Sequence, residues 1–78
     1  MAVSAYILIQ TEVGSAAQVA RQVRDLAGVL SADDVTGPYD VIALAEADTI
    51  DDLGRMVAGR VQMISGITRT ITCPVVHL

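Results

Sequence analysis

The sequence predicts an α+β domain of βαββαβ order, with four antiparallel strands in one sheet and two helices on one of its faces. Three observations carry that expectation. Alternating apolar residues mark strands, and two stretches with apolar side chains at i, i+3, i+4 and i+7 mark helices. The chain is also written twice: Val19 and Val57, Val23 and Val61, Leu26 and Ile64, Gly28 and Gly66, and Val29 and Ile67 are each 38 positions apart. A strand–helix–strand unit used twice is the split arrangement called ferredoxin-like.

The first strand is expected over Val3–Thr11, with Val3, Ala5, Ile7 and Ile9 on one face and Ser4, Tyr6, Leu8 and Gln10 on the other. A face turned to water has no use for Tyr6 and Leu8, so this second face is the first candidate for subunit contact. Ser15 and Gln18 have the spacing of a capping box. Ala16, Val19, Ala20, Val23 and Leu26 then form a buried stripe, while Gln18, Arg21, Gln22, Arg24 and Asp25 face solvent. Gly28 is expected as the C′ residue that stops this helix.

The second strand is expected over Val29–Thr36. Its Asp33 and Asp34 point to opposite faces, and no His or third acid lies near them in sequence, which suits solvation better than metal binding. Gly37-Pro38 makes a turn, presenting Tyr39 and Asp40, and the third strand follows over Val41–Ala47.

Thr49 and Asp52 repeat the capping spacing, with Asp51 and Asp52 placed where the helix dipole favours negative charge. Leu53, Met56, Val57, Val61 and Ile64 make the second buried stripe. Gly54 and Gly59 inside it predict close approach by another backbone, since glycine costs a helix about 1 kcal/mol. Gly66 ends the segment. The last strand is expected over Ile67–Val76, with Thr68, Thr70 and Thr72 on one face, and Pro74 marks an edge, a bulge or the start of a crossing arm.

Composition narrows the function. In 78 residues, 53% are hydrophobic, yet there is no Trp or Phe and there are two Tyr. So much aliphatic surface in a domain this small implies that another subunit covers part of it. Five Arg, no Lys and nine acids give a net charge of −4, which argues against direct binding to nucleic acid or to an anionic membrane. No apolar run approaches the length of a membrane span and no secretory signal is visible, so a cytoplasmic location is expected. The single Cys73 excludes an intrachain disulfide and offers no metal-ligand spacing.

The strand Ala5-Tyr6-Ile7-Leu8-Ile9, Gly28-Val29, the turn Thr36-Gly37-Pro38-Tyr39-Asp40, Asp51-Asp52-Leu53 and the run Ser65-Gly66-Ile67-Thr68-Arg69-Thr70-Ile71-Thr72 carry a resemblance across essentially the whole chain. It is to the ligand-binding and oligomerisation domain of the leucine-responsive/asparagine-operon regulator family, the regulation of amino-acid metabolism domain. The resemblance implies a sheet-to-sheet homodimer, an octamer built as a tetramer of dimers, and an amino-acid or related small-metabolite effector held between dimers. The Gly-x-Tyr-Asp turn belongs to that pocket, which implies Gly37, Tyr39 and Asp40 as effector-binding residues, with Thr70 and Thr72 beside them. Pro38 stands where the family turn more often carries an acid or another polar residue. Residues 1–78 are expected to form one effector-binding and oligomerisation domain without a DNA-binding domain, with a full-length regulator of the same family as a candidate partner. No cofactor, metal or catalytic residue is implied.

The competing class is a small ferredoxin-like dimeric enzyme of monooxygenase or isomerase type, with its cavity between sheet and helices. Its candidates are His77, Tyr6, Tyr39 and Cys73. Convergence of His77 and a Tyr on one deep pocket within a subunit would favour it.

Overall fold

A computed structural model describes residues 2–77. The strands are β1 (Val3–Thr11), β2 (Val29–Asp34), β3 (Val41–Ala47) and β4 (Ile67–Pro74); the helices are α1 (Ala16–Arg24) and α2 (Ile50–Met56). They follow the expected βαββαβ order. The sheet is antiparallel with strand order β2-β3-β1-β4, which puts the first strand of each half at the centre.

Alternation along the central strands decides which side is covered. Ala5, Ile7 and Ile9 of β1 and Val41, Ala43 and Ala45 of β3 are buried, packed with Val19, Ala20 and Val23 of α1 and with Leu53, Val57 and Val61 of the second helical segment. This core is wholly aliphatic, and no polar side chain is buried among the described residues. The repeat predicted it: Val19 and Val57, and Val23 and Val61, hold equivalent places on the two helices. Each fully buried Val, Ile or Leu contributes about 1.5–3 kcal/mol relative to exposure.

Gly28 and Gly66 are equivalent in backbone as well as position, with φ of +90° and +97°. Both are closely approached. A Cβ on Gly28 would lie 3.0 Å from the Glu46 carbonyl oxygen, and one on Gly66 would lie 3.1 Å from Ser15 Cβ. Glycine is therefore required for conformation and for space.

Several local expectations are corrected. Ser15 makes no side-chain cap and the Ser15/Gln18 box does not form, because Ser15 has nearly helical φ and ψ (−100°, −5°) and packs against Gly66 instead. Helix α1 stops at Asp25, so Gly28 is not its C′ residue; a turn closed by Leu26 N–H to Val23 O and Val29 N–H to Leu26 O intervenes. Arg24 is not simply solvated: its Nε and Nη2 donate to the Ala32 carbonyl on β2 at 3.2 and 2.6 Å. Strand β2 ends at Asp34 rather than Thr36, and β4 ends at Pro74 rather than Val76. The Thr49 cap does form, accepting from the Asp52 N–H at 3.0 Å. Beyond Met56 the α-helix widens into a π-helical turn, Val57–Val61, with Gly59 inside it. No backbone approaches Gly54 or Gly59 within the protomer; a Cβ at either would meet open space.

The glycines thus divide sharply. Gly28→Ala is expected to lower the unfolding free energy by about 1–3 kcal/mol through backbone strain and contact with Glu46, whereas Gly54→Ala is expected to raise it by up to about 1 kcal/mol through helix propensity. Denaturant unfolding at matched protein concentration checks both.

Candidate functional site

The loop between β2 and β3 is built by its neighbours in the sheet. The Val35 N–H donates to the Asp40 carbonyl and the Asp40 N–H donates to the Ile9 carbonyl, both at 2.9 Å, so Asp40 is tied to β2's continuation and to the β1 residue that pairs with Val41. The Thr11 N–H then donates to Asp40 Oδ2 at 2.8 Å, and Gln10 Nε2 donates to the Pro38 carbonyl at 3.1 Å. The turn is thereby held from both sides of the β1 terminus, while Gly37 at its exposed tip takes a φ of +131°.

One oxygen of Asp40 is therefore committed to structure. Oδ1 accepts no hydrogen bond among the described residues. Tyr39 and Asp40 are half-buried, and Gly37 is exposed.

Thr70 and Thr72 share the helix-side face of β4, opposite Ile9 and Ile7. Thr70 Oγ1 accepts from Gln62 Nε2 at 2.9 Å and lines a cleft of ≈ 400 Å³ together with Gln62, Ile67, Thr68 and Arg69. Thr72 lies two pairs further along and does not line it. Because Ile9 pairs with both Thr70 and Val41, β1 stands between the threonines and the Asp40 turn. Two strand spacings, about 10 Å, separate them. The five residues thus form two groups at one end of the sheet rather than a single pocket within the protomer.

The same end exposes Val13 completely and Met63 at 76%. Both flank the link where the Glu12 N–H donates to the Gly66 carbonyl at 2.8 Å. The second apolar surface is the sheet face away from the helices. The pairing register places Ile42, Leu8 and Ile71 in one row across it and Leu44, Tyr6 and Cys73 in the next. Asp33 stands at one edge of this patch, and Gln10 and Arg69 at its turn end. Tyr6 is 48% exposed, though it sits on a central strand.

Tyr6 and Cys73 are thus neighbours on the open face, whereas Tyr39 lies at the turn and exposed His77 follows β4. The structure does not bring His77 and a Tyr into a pocket between sheet and helices, where the aliphatic core lies. Asp33 and Asp34 are both exposed, and no group of three His, Cys, Asp or Glu side chains suited to a metal occurs among the described residues. Sequence reasoning missed Gln10 and Thr11 as anchors of the turn. Their partners lie 28 and 29 residues away, and no local signal marks them.

The sequence matches the Lrp/AsnC ligand binding domain family over residues 4–77. A comparison with curated proteins gave no significant match. Among solved structures, a hypothetical protein from Pyrococcus horikoshii, PHS023, is similar at 29% identity and a TM-score of 0.88, over 97% of this chain and 92% of that one. A protein from Thermus thermophilus is similar at 25% identity and a TM-score of 0.90, over 97% and 95%. A transcriptional regulator from Neisseria meningitidis, solved as an L-Met complex, shares the fold at 21% identity and a TM-score of 0.84; 96% of this chain covers 50% of that one.

Asp40→Ala, which leaves the Thr11 N–H without its acceptor, is expected to cost about 1–2 kcal/mol of stability. Asp40→Asn keeps an acceptor oxygen and should cost less than half as much. Chemical denaturation of the two variants side by side checks the ranking.

Proposed function

The chain belongs to the Lrp/AsnC ligand-binding domain family, and from that membership we propose that it senses an amino acid or a related small metabolite at a seam between protomer pairs. It is a regulator-type effector-sensing domain, and the observation that carries the finer reading is the pair of uncovered apolar surfaces. One is the open sheet face with Tyr6, Leu8, Ile42, Leu44 and Ile71; the other is the turn end with Val13 and Met63. The first suits a face-to-face homodimer, and the second suits contact between dimers, closing to an octamer.

At such a seam the two groups of candidate residues complete one another. Gly37, Tyr39 and Asp40 from one protomer would meet a surface like that of Thr70 and Thr72 from another. Asp40 Oδ1 would accept from an α-ammonium group, and freed backbone N–H groups of the turn would meet the α-carboxylate. Water exclusion at the seam strengthens both contacts. The L-Met complex of the Neisseria meningitidis regulator supports an amino acid as the effector class. A ligand bound only by the assembled form stabilises assembly by mass action, which makes the domain a transducer. A DNA-binding member of the same family is the partner through which the change would reach an operator.

Native mass spectrometry with a pool of amino acids is expected to show bound ligand mass together with a changed distribution of oligomers. No bound mass and an unchanged distribution would overturn the sensing role. Leu44→Asp, on the open face, should weaken dimerisation at least about a hundredfold, corresponding to a lost hot-spot contact, while the circular dichroism of the fold persists.

A further inference from the structure

We infer that a second small-molecule site, for a zwitterion of amino-acid size, lies within the protomer at the end of the sheet opposite the Gly37 turn. A cleft of ≈ 360 Å³ opens there between the start of β2, the end of β3 and α2. Its size lies at the lower end of the range for ligand pockets. Gly28 forms part of its wall; the missing Cβ leaves the backbone close to Glu46, whose N–H donates to the Gly28 carbonyl at 2.8 Å, and a Cβ there would be 3.9 Å from Met56 Cε.

The charges in this cleft sort into one committed pair and one uncommitted pair. Arg55 Nη1 donates to Asp52 Oδ1 at 2.9 Å, so those two satisfy each other on the rim. Arg60 and Glu46 also line the cleft, and neither side chain makes a hydrogen bond or ion pair among the described residues. One free guanidinium and one free carboxylate match the α-carboxylate and α-ammonium of a zwitterion, and Met56 and Ala47 offer apolar contact to its side chain.

The π-helical turn is the second, independent feature. Arg60 lies within Val57–Val61, where the Gln62 N–H donates to the Val57 carbonyl five residues back at 2.9 Å. Arg55 lies in α2 just before this turn and Arg60 lies inside it, and both line the same cleft. In a continuous α-helix residues five apart are splayed, and Arg60 would swing away. Such turns inside helices are frequent at functional sites. The site uses no residue of the seam and does not require assembly.

The test is an NMR titration of the ¹⁵N-labelled protein with glycine, L-methionine and L-leucine, and with the two single-charge analogues of leucine, 3-methylbutylamine and 4-methylpentanoate. At least one amino acid is expected to shift the amides of Gly28, Glu46 and Arg60 saturably. Arg60→Gln and Glu46→Gln, both at exposed positions, should each weaken that binding at least tenfold, and the analogues should bind at least tenfold more weakly than leucine. Shifts confined to residues 37–40 would overturn this site and leave the seam standing; shifts at neither end would count against both. Unchanged binding by both variants, or equal binding of a single-charge analogue, would also overturn it.

Discussion

The sheet has two faces, and the helices of this fold cover only one of them. The Cα envelope measures 37 × 25 × 17 Å, and the short dimension has room for one sheet and one helical layer. Burial on the helix side is complete and aliphatic, and alternation along β1 and β3 forces a second set of side chains outward at every other residue. A monomer built for water would place polar groups there. This chain places Tyr6, Leu8, Ile42, Leu44 and Ile71, apolar groups whose exposure costs about 25 cal/mol per Å² relative to burial.

The duplication sets where chemistry can occur. Each half ends its helix near a glycine in positive φ, and each glycine packs tightly, Gly28 against Glu46 and Gly66 against Ser15. Loops therefore collect at the two ends of the sheet, where polar side chains and clefts appear. The ends differ in character. At the turn end Asp40 spends one carboxylate oxygen on Thr11, while its other oxygen accepts no hydrogen bond among the described residues. At the far end Arg60, inside the widened helical turn, lines the same cleft as Arg55. The edges are also unequal: Arg24 occupies the Ala32 carbonyl of β2, which hinders strand addition there, and Pro74 shortens β4.

The topology was legible because period-2 and period-3.6 patterns report which side of an element is buried. Strands β1 and β3 lie where alternation placed them, and the 38-residue repeat correctly paired Val19 with Val57 and Gly28 with Gly66. What escaped was everything decided by tertiary register. The Ser15 cap yields to packing on Gly66, Arg24 finds a carbonyl on an adjacent element, and the π turn is a choice the Val57–Val61 segment makes among its own hydrogen bonds. For the candidate site, the turn containing Gly37, Tyr39 and Asp40 was readable as a unit. Its separation from Thr70 by β1, and its anchoring by Gln10 and Thr11, follow from strand order and pairing across long sequence distances, which composition and spacing do not encode.

Cover for the open face can be measured through the protein's mass in solution. Sedimentation equilibrium of the unliganded wild-type protein, diluted through the low micromolar range, reads it without any mutation or ligand. Dimers or larger species are expected throughout, with no substantial folded population at the 8.2 kDa protomer mass. A stable, folded 8.2 kDa species as the main component would overturn this, because exposed Tyr6 and half-buried Leu8, Ile42, Leu44 and Ile71 would then have no partner against which to complete their burial.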